Sequence, residues 1–159
     1  MITEAREPRG GATLSPMAVP ARVSLVTLGV ADLPRSTAFY SALGWTMSPA
    51  STAEVSFFHT GGGLLALFGE EDLVTESGTL AAVGPGFRGV TLAINLESPG
   101  AVDRAVEEAE SAGATVLKRP ETAPWGGHVG YFADPDGHVW EVAHNPGFPL
   151  GPDGLPRLP

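Results

Sequence analysis

Two hydrophobic periods alternate along the chain. From Val26 to Val30 apolar positions recur at every second residue: Val26, Leu28 and Val30 share one face, while Leu25, Thr27 and Gly29 share the other. That alternation predicts a strand buried on one side. Val90, Leu92 and Ile94 repeat the first face, and Gly89, Thr91 and Ala93 the second. After each strand the period lengthens. Val102, Ala105, Val106, Ala109 and Ala112 form one stripe with Asp103, Glu107, Glu108 and Glu110 outside it, the signature of an amphipathic helix. Ser98 suits its N-cap and Pro99 its first turn. A shorter helix is predicted from Leu33 to Leu43, turning Leu33, Phe39, Ala42 and Leu43 toward a sheet. Gly44 and Gly113 stop the two helices. Each half then finishes on a glycine-led apolar strand, Gly62 to Phe68 and Gly137 to Ala143. The order strand, helix, strand, strand, strand therefore occurs twice, at a spacing of roughly 65–75 residues, too long for a solenoid. An α+β domain of two modules is expected. Its bulky strand faces carry the helices, and its small-residue faces line a shared cup.

Composition narrows the function. A chain of 159 residues, 43% hydrophobic, can bury one core. No run approaches the ~18 apolar residues of a membrane span. The first twenty residues mix Glu4, Arg6, Glu7 and Arg9 with Gly and Pro, which is no secretory signal. The absence of cysteine excludes disulfides, thiolate catalysis and zinc ribbons, and the cytoplasm is the expected location. A net charge of −9, with Lys118 the one lysine, argues against nucleic acid. Residues 1–20 read as a flexible arm, and Met17 stands just before a plausible domain start. The domain is expected over 21–145, as modules 21–70 and 87–145. Residues 146–159 form a Pro/Gly-rich tail, with Phe148 or Leu150 pinning it to the surface.

Few residues carry chemistry. No G-x-S-x-G elbow is present, and the clusters Gly61-Gly62-Gly63 and Gly126-Gly127 lack both the helix and the lysine of a phosphate loop, so they read as hairpin turns. Of the four histidines, His138 and His144 share a strand parity opposite to Glu141 and read as solvated surface residues, whereas His59 and His128 flank hairpin strands and are candidates for the cup's mouth. Trp125, in a Pro-Trp-Gly-Gly loop, either caps the core or stacks on a flat ligand. Trp45 and Trp140 read as core. Glu141 lies on the face of Val139 and Ala143, so its carboxylate is expected in an apolar cup with Thr27 and Thr91. Burial there would raise its pKa unless Thr27, Thr91, a histidine or Arg22 satisfies it. Three roles stay open: general acid/base, hydrogen-bond anchor for a ligand, or structural remnant.

Val26-Thr27-Leu28-Gly29-Val30-Ala31-Asp32-Leu33, with Ser36, Phe39-Tyr40 and Leu43-Gly44 behind it, resembles the opening of the vicinal-oxygen-chelate superfamily of glyoxalases, extradiol dioxygenases, fosfomycin-modifying enzymes and bleomycin-binding proteins. Phe132-Ala133-Asp134-Pro135-Asp136-Gly137-His138-Val139-Trp140-Glu141-Val142 resembles its closing hairpin. The resemblance spans about residues 22–145 and implies two βαβββ modules forming a cup-shaped mixed sheet, commonly as a homodimer. It also implies a divalent metal held by the first and last strands of each module. Aligned on Val30-Ala31-Asp32, those positions fall on Leu25, Ala66, Gly89 and Glu141. Three of these four side chains offer no donor, so neither metal nor other cofactor is expected. The leading expectation is a metal-free protein that binds or sequesters a small, partly aromatic molecule, as in the antibiotic-resistance branch that binds bleomycin. Trp125, Glu141, His59, His128, Thr27 and Thr91 are its candidate contacts. The rival is a glyoxalase-like lyase or isomerase using Glu141, with or without metal.

Overall fold

The computed structural model describes residues 23–78 and 86–157. The arm, the Met17 start and Arg22 lie outside the described residues.

The chain runs β1 (Leu25–Val30), α1 (Leu33–Ala42), β2 (Val55–Thr60), β3 (Gly63–Gly69), α2 (Glu70–Ser77), β4 (Thr91–Asn95), α3 (Pro99–Ala112), β5 (Thr115–Thr122), β6 (His128–Ala133) and β7 (Val139–His144). The strands form two sheets, ordered β1-β3-β2 and β4-β7-β6-β5. In each, the opening strand pairs in parallel with the module's last strand, β1 with β3 and β4 with β7, and stands at the sheet's edge. This is the expected α+β arrangement of two modules.

The helices start where their caps dictate. The Asp32 carboxylate accepts from the Arg35 amide at 2.9 Å, and the Ser98 hydroxyl oxygen from the Ala101 amide at 3.2 Å. Each satisfies a donor that the first turn leaves orphaned. α3 buries Val102, Val106 and Ala109 of the stripe read from its period, with Ala101 beside them and Ala105 and Ala112 half-buried. Leu28 and Val30 of β1 face the core with Phe39, Tyr40, Phe58, Phe132, Trp140 and Val142. Trp45 and Trp140 meet edge to face at 5.5 Å, as their expected core role requires.

Two features depart from the expected plan. The strand after α1 shrinks to an isolated bridge, Met47 with Phe58. Pro49 has no amide to give a ladder, and the hydroxyls of Ser51 and Thr52 accept from the Phe57 and Glu54 amides, so the backbone turns instead. The second departure is α2, which the periodicity did not predict. Its first turn carries Glu70, Glu71 and Asp72, favourable at a helix N-terminus. It lies on β1, where a Cβ at Gly29 would sit 3.3 Å from the Glu70 Cα and 3.4 Å from the Leu73 Cδ2. Gly29 therefore does not open onto a cavity. It lets a helix approach.

The tail also differs. Residues 149–157 fold into a small hairpin, with Leu150 bridging Pro156 and the Arg157 amide donating to the Pro149 carbonyl at 2.9 Å. Leu155 lies over Gly61 and Gly62, Leu150 is half-buried, and Phe148 is exposed.

The Asp-Pro-Asp-Gly turn does more than reverse the chain. Asp134 accepts from the amides of Asp136 and His138 at 2.9 and 2.8 Å, from the Tyr40 hydroxyl at 2.7 Å, and lies 3.0 Å from the His138 Nδ1. Asp136 accepts from the Ala31 amide at 2.9 Å, from Arg35 at 2.8 Å, and from the Ser36 hydroxyl. A turn of the second module thus holds the helix entry of the first.

Candidate functional site

β1 and β4 are both sheet edges, and a cleft of about 640 Å³ lies where the two modules meet. Val26, Leu65, Leu92, Ile94, Trp45 and Trp140 supply its apolar surface. Thr46, His59, Thr60 and Asn95 add neutral or weakly polar groups, and Asp153 to Pro156 of the C-terminal hairpin close one side. Among the described residues lining it there is no lysine or arginine. The volume falls within the ~300–1,000 Å³ of small-molecule sites. Trp140 is fixed there because its Nε1 donates to the Tyr40 hydroxyl at 3.1 Å, which in turn donates to Asp134. Burial, then the neighbouring Asp134 carboxylate, pushes the Tyr40 phenol far up, so it remains a donor.

A second polar group stands beside the cleft. Glu141 is the cross-strand neighbour of Ala93, which lines the cleft, and of Tyr131 on its other side. The Tyr131 hydroxyl donates to the Glu141 Oε2 at 2.7 Å. That hydrogen bond, followed by desolvation, raises the Tyr131 pKa to about 12. Val129, Ala143 and Ala123 form a small apolar cluster with Tyr131. The carboxylate is half-buried, and its partner is this tyrosine rather than a threonine or histidine. Register could have named it: alternation in His128-Val129-Gly130-Tyr131 puts Tyr131 on the Glu141 face, once the four-residue Asp-Pro-Asp-Gly turn sets the pairing.

The other expected site residues scatter. His59 does line the cleft and is exposed. His128 points the other way: its Nε2 lies 2.7 Å from the Asp103 carboxylate on α3, on the helix-bearing side of the sheet. Even-numbered residues of β6 share that side with Phe132, so parity excludes His128 from the Glu141 face. Thr27 and Thr91 are exposed and do not line the cleft. Trp125 is 53% exposed in the β5–β6 turn, and a Cβ at Gly127 would fall 1.7 Å from its ring. The indole therefore folds back over its own turn and neither caps the core nor lines the cleft. His138 and His144 are not simply solvated: one bonds Asp134, the other the Leu96 carbonyl at 3.1 Å.

The metal positions can be placed by register. The helix caps Asp32 and Ser98 stand 66 residues apart. The same step carries Thr27, whose cross-strand partner is Ala66, onto Ala93, whose partner is Glu141. Leu25 therefore corresponds to Thr91, and not to Gly89, which precedes β4. The likeness of Val26-Thr27-Leu28 to Val90-Thr91-Leu92 is two residues out of register, and a slip of two preserves every side-chain face, so alternation cannot detect it. Ala66 keeps its correspondence with Glu141. The corrected set of Leu25, Ala66, Thr91 and Glu141 offers one carboxylate and one hydroxyl, a poor match to the three or more donors of a catalytic divalent site. Among the described residues no three His, Asp or Glu converge on one point either. The chain does not fit the metal its fold suggests.

Comparison with known proteins identifies the class. Residues 22–142 match the glyoxalase/bleomycin resistance protein/dioxygenase superfamily. The chain belongs to that family. A glyoxalase-related enzyme from Fulvimarina pelagi is 34% identical, with a TM-score of 0.79 over 87% of this chain and 99% of that one. A glyoxalase/bleomycin resistance protein/dioxygenase from Nocardioides is 30% identical, with a TM-score of 0.67 over 85% and 94%. A lactoylglutathione lyase from Agrobacterium tumefaciens, 23% identical, shares the fold at a TM-score of 0.59 over 79% of this chain and 95% of that one. No curated protein matches the sequence.

Proposed function

We propose that this protein binds, and thereby sequesters, one small, uncharged and partly aromatic molecule in the cleft between its modules. The observation that carries the reading is the cleft itself: an aliphatic surface with the indoles of Trp45 and Trp140, and no lysine or arginine among its described lining residues. Apolar area buried there would supply the affinity at roughly 25 cal/mol per Å², and His59, Thr46, Thr60 and Asn95 would orient the ligand. A substrate carrying the carboxylates of glutathione would meet no lysine or arginine among the described lining residues, which argues against the lyase chemistry of the Agrobacterium protein. Sequestration in the cytoplasm by a homodimer belongs to the same reading. No described helix is long and apolar enough to cross a membrane.

The test is binding of the uncharged fluorophore N-phenyl-1-naphthylamine, followed by energy transfer from tryptophan. Saturable binding to the wild type, blocked by Ala93→Trp, is expected. Binding that Ala93→Trp leaves unchanged would move the site elsewhere. Zinc, nickel or manganese should leave the melting temperature unaltered, whereas a site saturated a hundredfold above its Kd would add about 2.7 kcal/mol.

The enzymatic alternative draws on the Tyr131–Glu141 pair. With one carboxylate oxygen engaged by Tyr131, the other could accept a proton from a carbon acid lying over Ala93. In that case Glu141→Gln would abolish turnover while leaving substrate affinity nearly intact.

A further inference from the structure

The C-terminal hairpin presents a feature that the family fold does not require. Its turn contributes Asp153, Gly154, Leu155 and Pro156 to the cleft, which the β4 residues Leu92 to Asn95 also line. It is built to hold its shape: the Gly151 amide donates to the Leu155 carbonyl at 2.9 Å, and the Gly154 amide to the Gly151 carbonyl at 2.9 Å. Its attachment to the cleft's other wall is slight, for Leu155 lies over the β2–β3 turn, where Gly61 and Gly62 have no side chains to grip it. Asp153 is the one carboxylate among the described lining residues. The hairpin neutralises it internally: Arg157 donates to Oδ2 at 2.7 Å and the Leu155 amide to Oδ1 at 3.1 Å. The guanidinium itself stays out of the cleft lining. A cation entering the cleft would have to compete with Arg157 for that carboxylate.

We propose that residues 149–157 are the specificity element of the cleft: Leu155 touches the bound molecule, and the Asp153–Arg157 pair keeps that wall neutral, so that uncharged molecules are selected over cations. The proposal rests on the cleft-binding reading. It assigns recognition to a segment outside both modules, and it makes charge selectivity the property of one exposed ion pair.

Two probes test it on the full chain, uncharged N-phenyl-1-naphthylamine and the cationic dye 4-(dimethylamino)styryl-N-methylpyridinium. Leu155→Ala should weaken both about three- to tenfold, the loss expected for removing an apolar contact, with an unchanged melting temperature. Arg157→Ala should raise affinity for the cation relative to the neutral probe by about two- to fivefold at low salt, the scale of an exposed ion pair. The gain should vanish in 0.5 M salt, where the Debye length falls to a few ångström, roughly 4 Å. Adding Asp153→Asn to Arg157→Ala should restore the wild-type ratio, which a merely structural role for Arg157 would not do. If the wild type binds the neutral probe and Ala93→Trp blocks it, yet the hairpin variants change neither affinity nor ratio, the hairpin proposal is overturned and the cleft stands. If the wild type binds neither probe, the cleft reading and the hairpin proposal fall together.

Discussion

The two modules repeat one plan, yet their sheets end up with opposite inner faces. In the first, Gly29 lies flush against α2, and the neighbouring positions Leu25, Thr27 and Ala66 bring no ionisable group. In the second, the residue corresponding to Gly29 is Asn95, a full polar side chain that lines the cleft, and Glu141 stands in place of Ala66 with Tyr131 bonded to it. The strand order of the two modules matches; a helix covers one inner face, and a carboxylate–phenol pair stands on the other. The carboxylate–phenol pair stands in the second half alone. A shared core that includes Phe39, Tyr40, Phe132 and Trp140 holds that half to the first, and the Asp134–Asp136 turn is its polar tie.

Removing that tie gives the largest effect. Asp134 is 3% exposed and serves Tyr40, the His138 ring and two amides. Asp134→Ala would strand the buried Tyr40 hydroxyl and release the turn from α1, at a cost of about 3–5 kcal/mol, measured by chemical denaturation. Two independent halves would instead show a second transition unaffected by the substitution. The same group predicts a pH dependence. Burial pushes the Asp134 carboxyl up, but the hydrogen bond and charge of His138, with the Tyr40 hydroxyl, outweigh it and hold the carboxyl below its ordinary range. A folded pKa below the unfolded one means that the unfolded chain takes up the proton first, so this stability is present above about pH 5 and is lost as pH falls below roughly 4. Asp134→Asn should flatten that acid limb.

How much of this was legible depends on what each signal encodes. Alternation at Val26, Leu28 and Val30 and the stripe from Val102 to Ala112 fix which faces are buried, and they did so correctly. Alternation does not encode register beyond parity, so Gly89 and Thr91 match Leu25 equally well by pattern, and only the strand pairing selects Thr91. It does not encode close approach either, because Gly29 looks the same whether it opens a cavity or admits a helix. Trp125 misled for a related reason. An indole beside Gly-Gly promises a stacking surface, and only the geometry shows those glycines taken up by the indole itself. Neither the cleft between modules nor the tail hairpin has a periodic signature, since both arise where separate elements meet.

The contrast between Gly29 and Asn95 is open to a direct exchange of side chains. Gly29→Asn would drive a side chain into the Glu70 backbone and Leu73, and overpacking of this kind costs about 1–3 kcal/mol. Asn95→Gly meets no such wall. It should cost only the added backbone freedom of a strand glycine, about 0.5–1 kcal/mol, and it enlarges the cleft. If the two exchanges cost the same by thermal denaturation, α2 is not packed on Gly29 as described, and the first module's inner face is as open as the second's.

The smallest effect is the most local, and it asks whether Tyr131 and Glu141 act as one unit. Tyr131 is half-buried and Tyr131→Phe keeps its ring packing, so losing one hydrogen bond should change stability by only about 1 kcal/mol. Titration is the sharper measurement. With the Glu141 carboxylate accepting its proton, the Tyr131 phenol ionises near 12, because removing that proton breaks the hydrogen bond and sets two negative charges side by side. Glu141→Gln removes the charge and keeps the shape. The repulsion disappears, the amide oxygen is a weaker acceptor, and the phenol should return toward the ordinary value near 10. Ultraviolet absorbance of phenolate, compared between the wild type and Glu141→Gln, reads this directly, and Tyr131→Phe identifies the transition by deleting it. A Tyr131 transition that stays in place when Glu141 loses its charge would mean that the pair does not form, and the enzymatic alternative would lose the geometry it draws on.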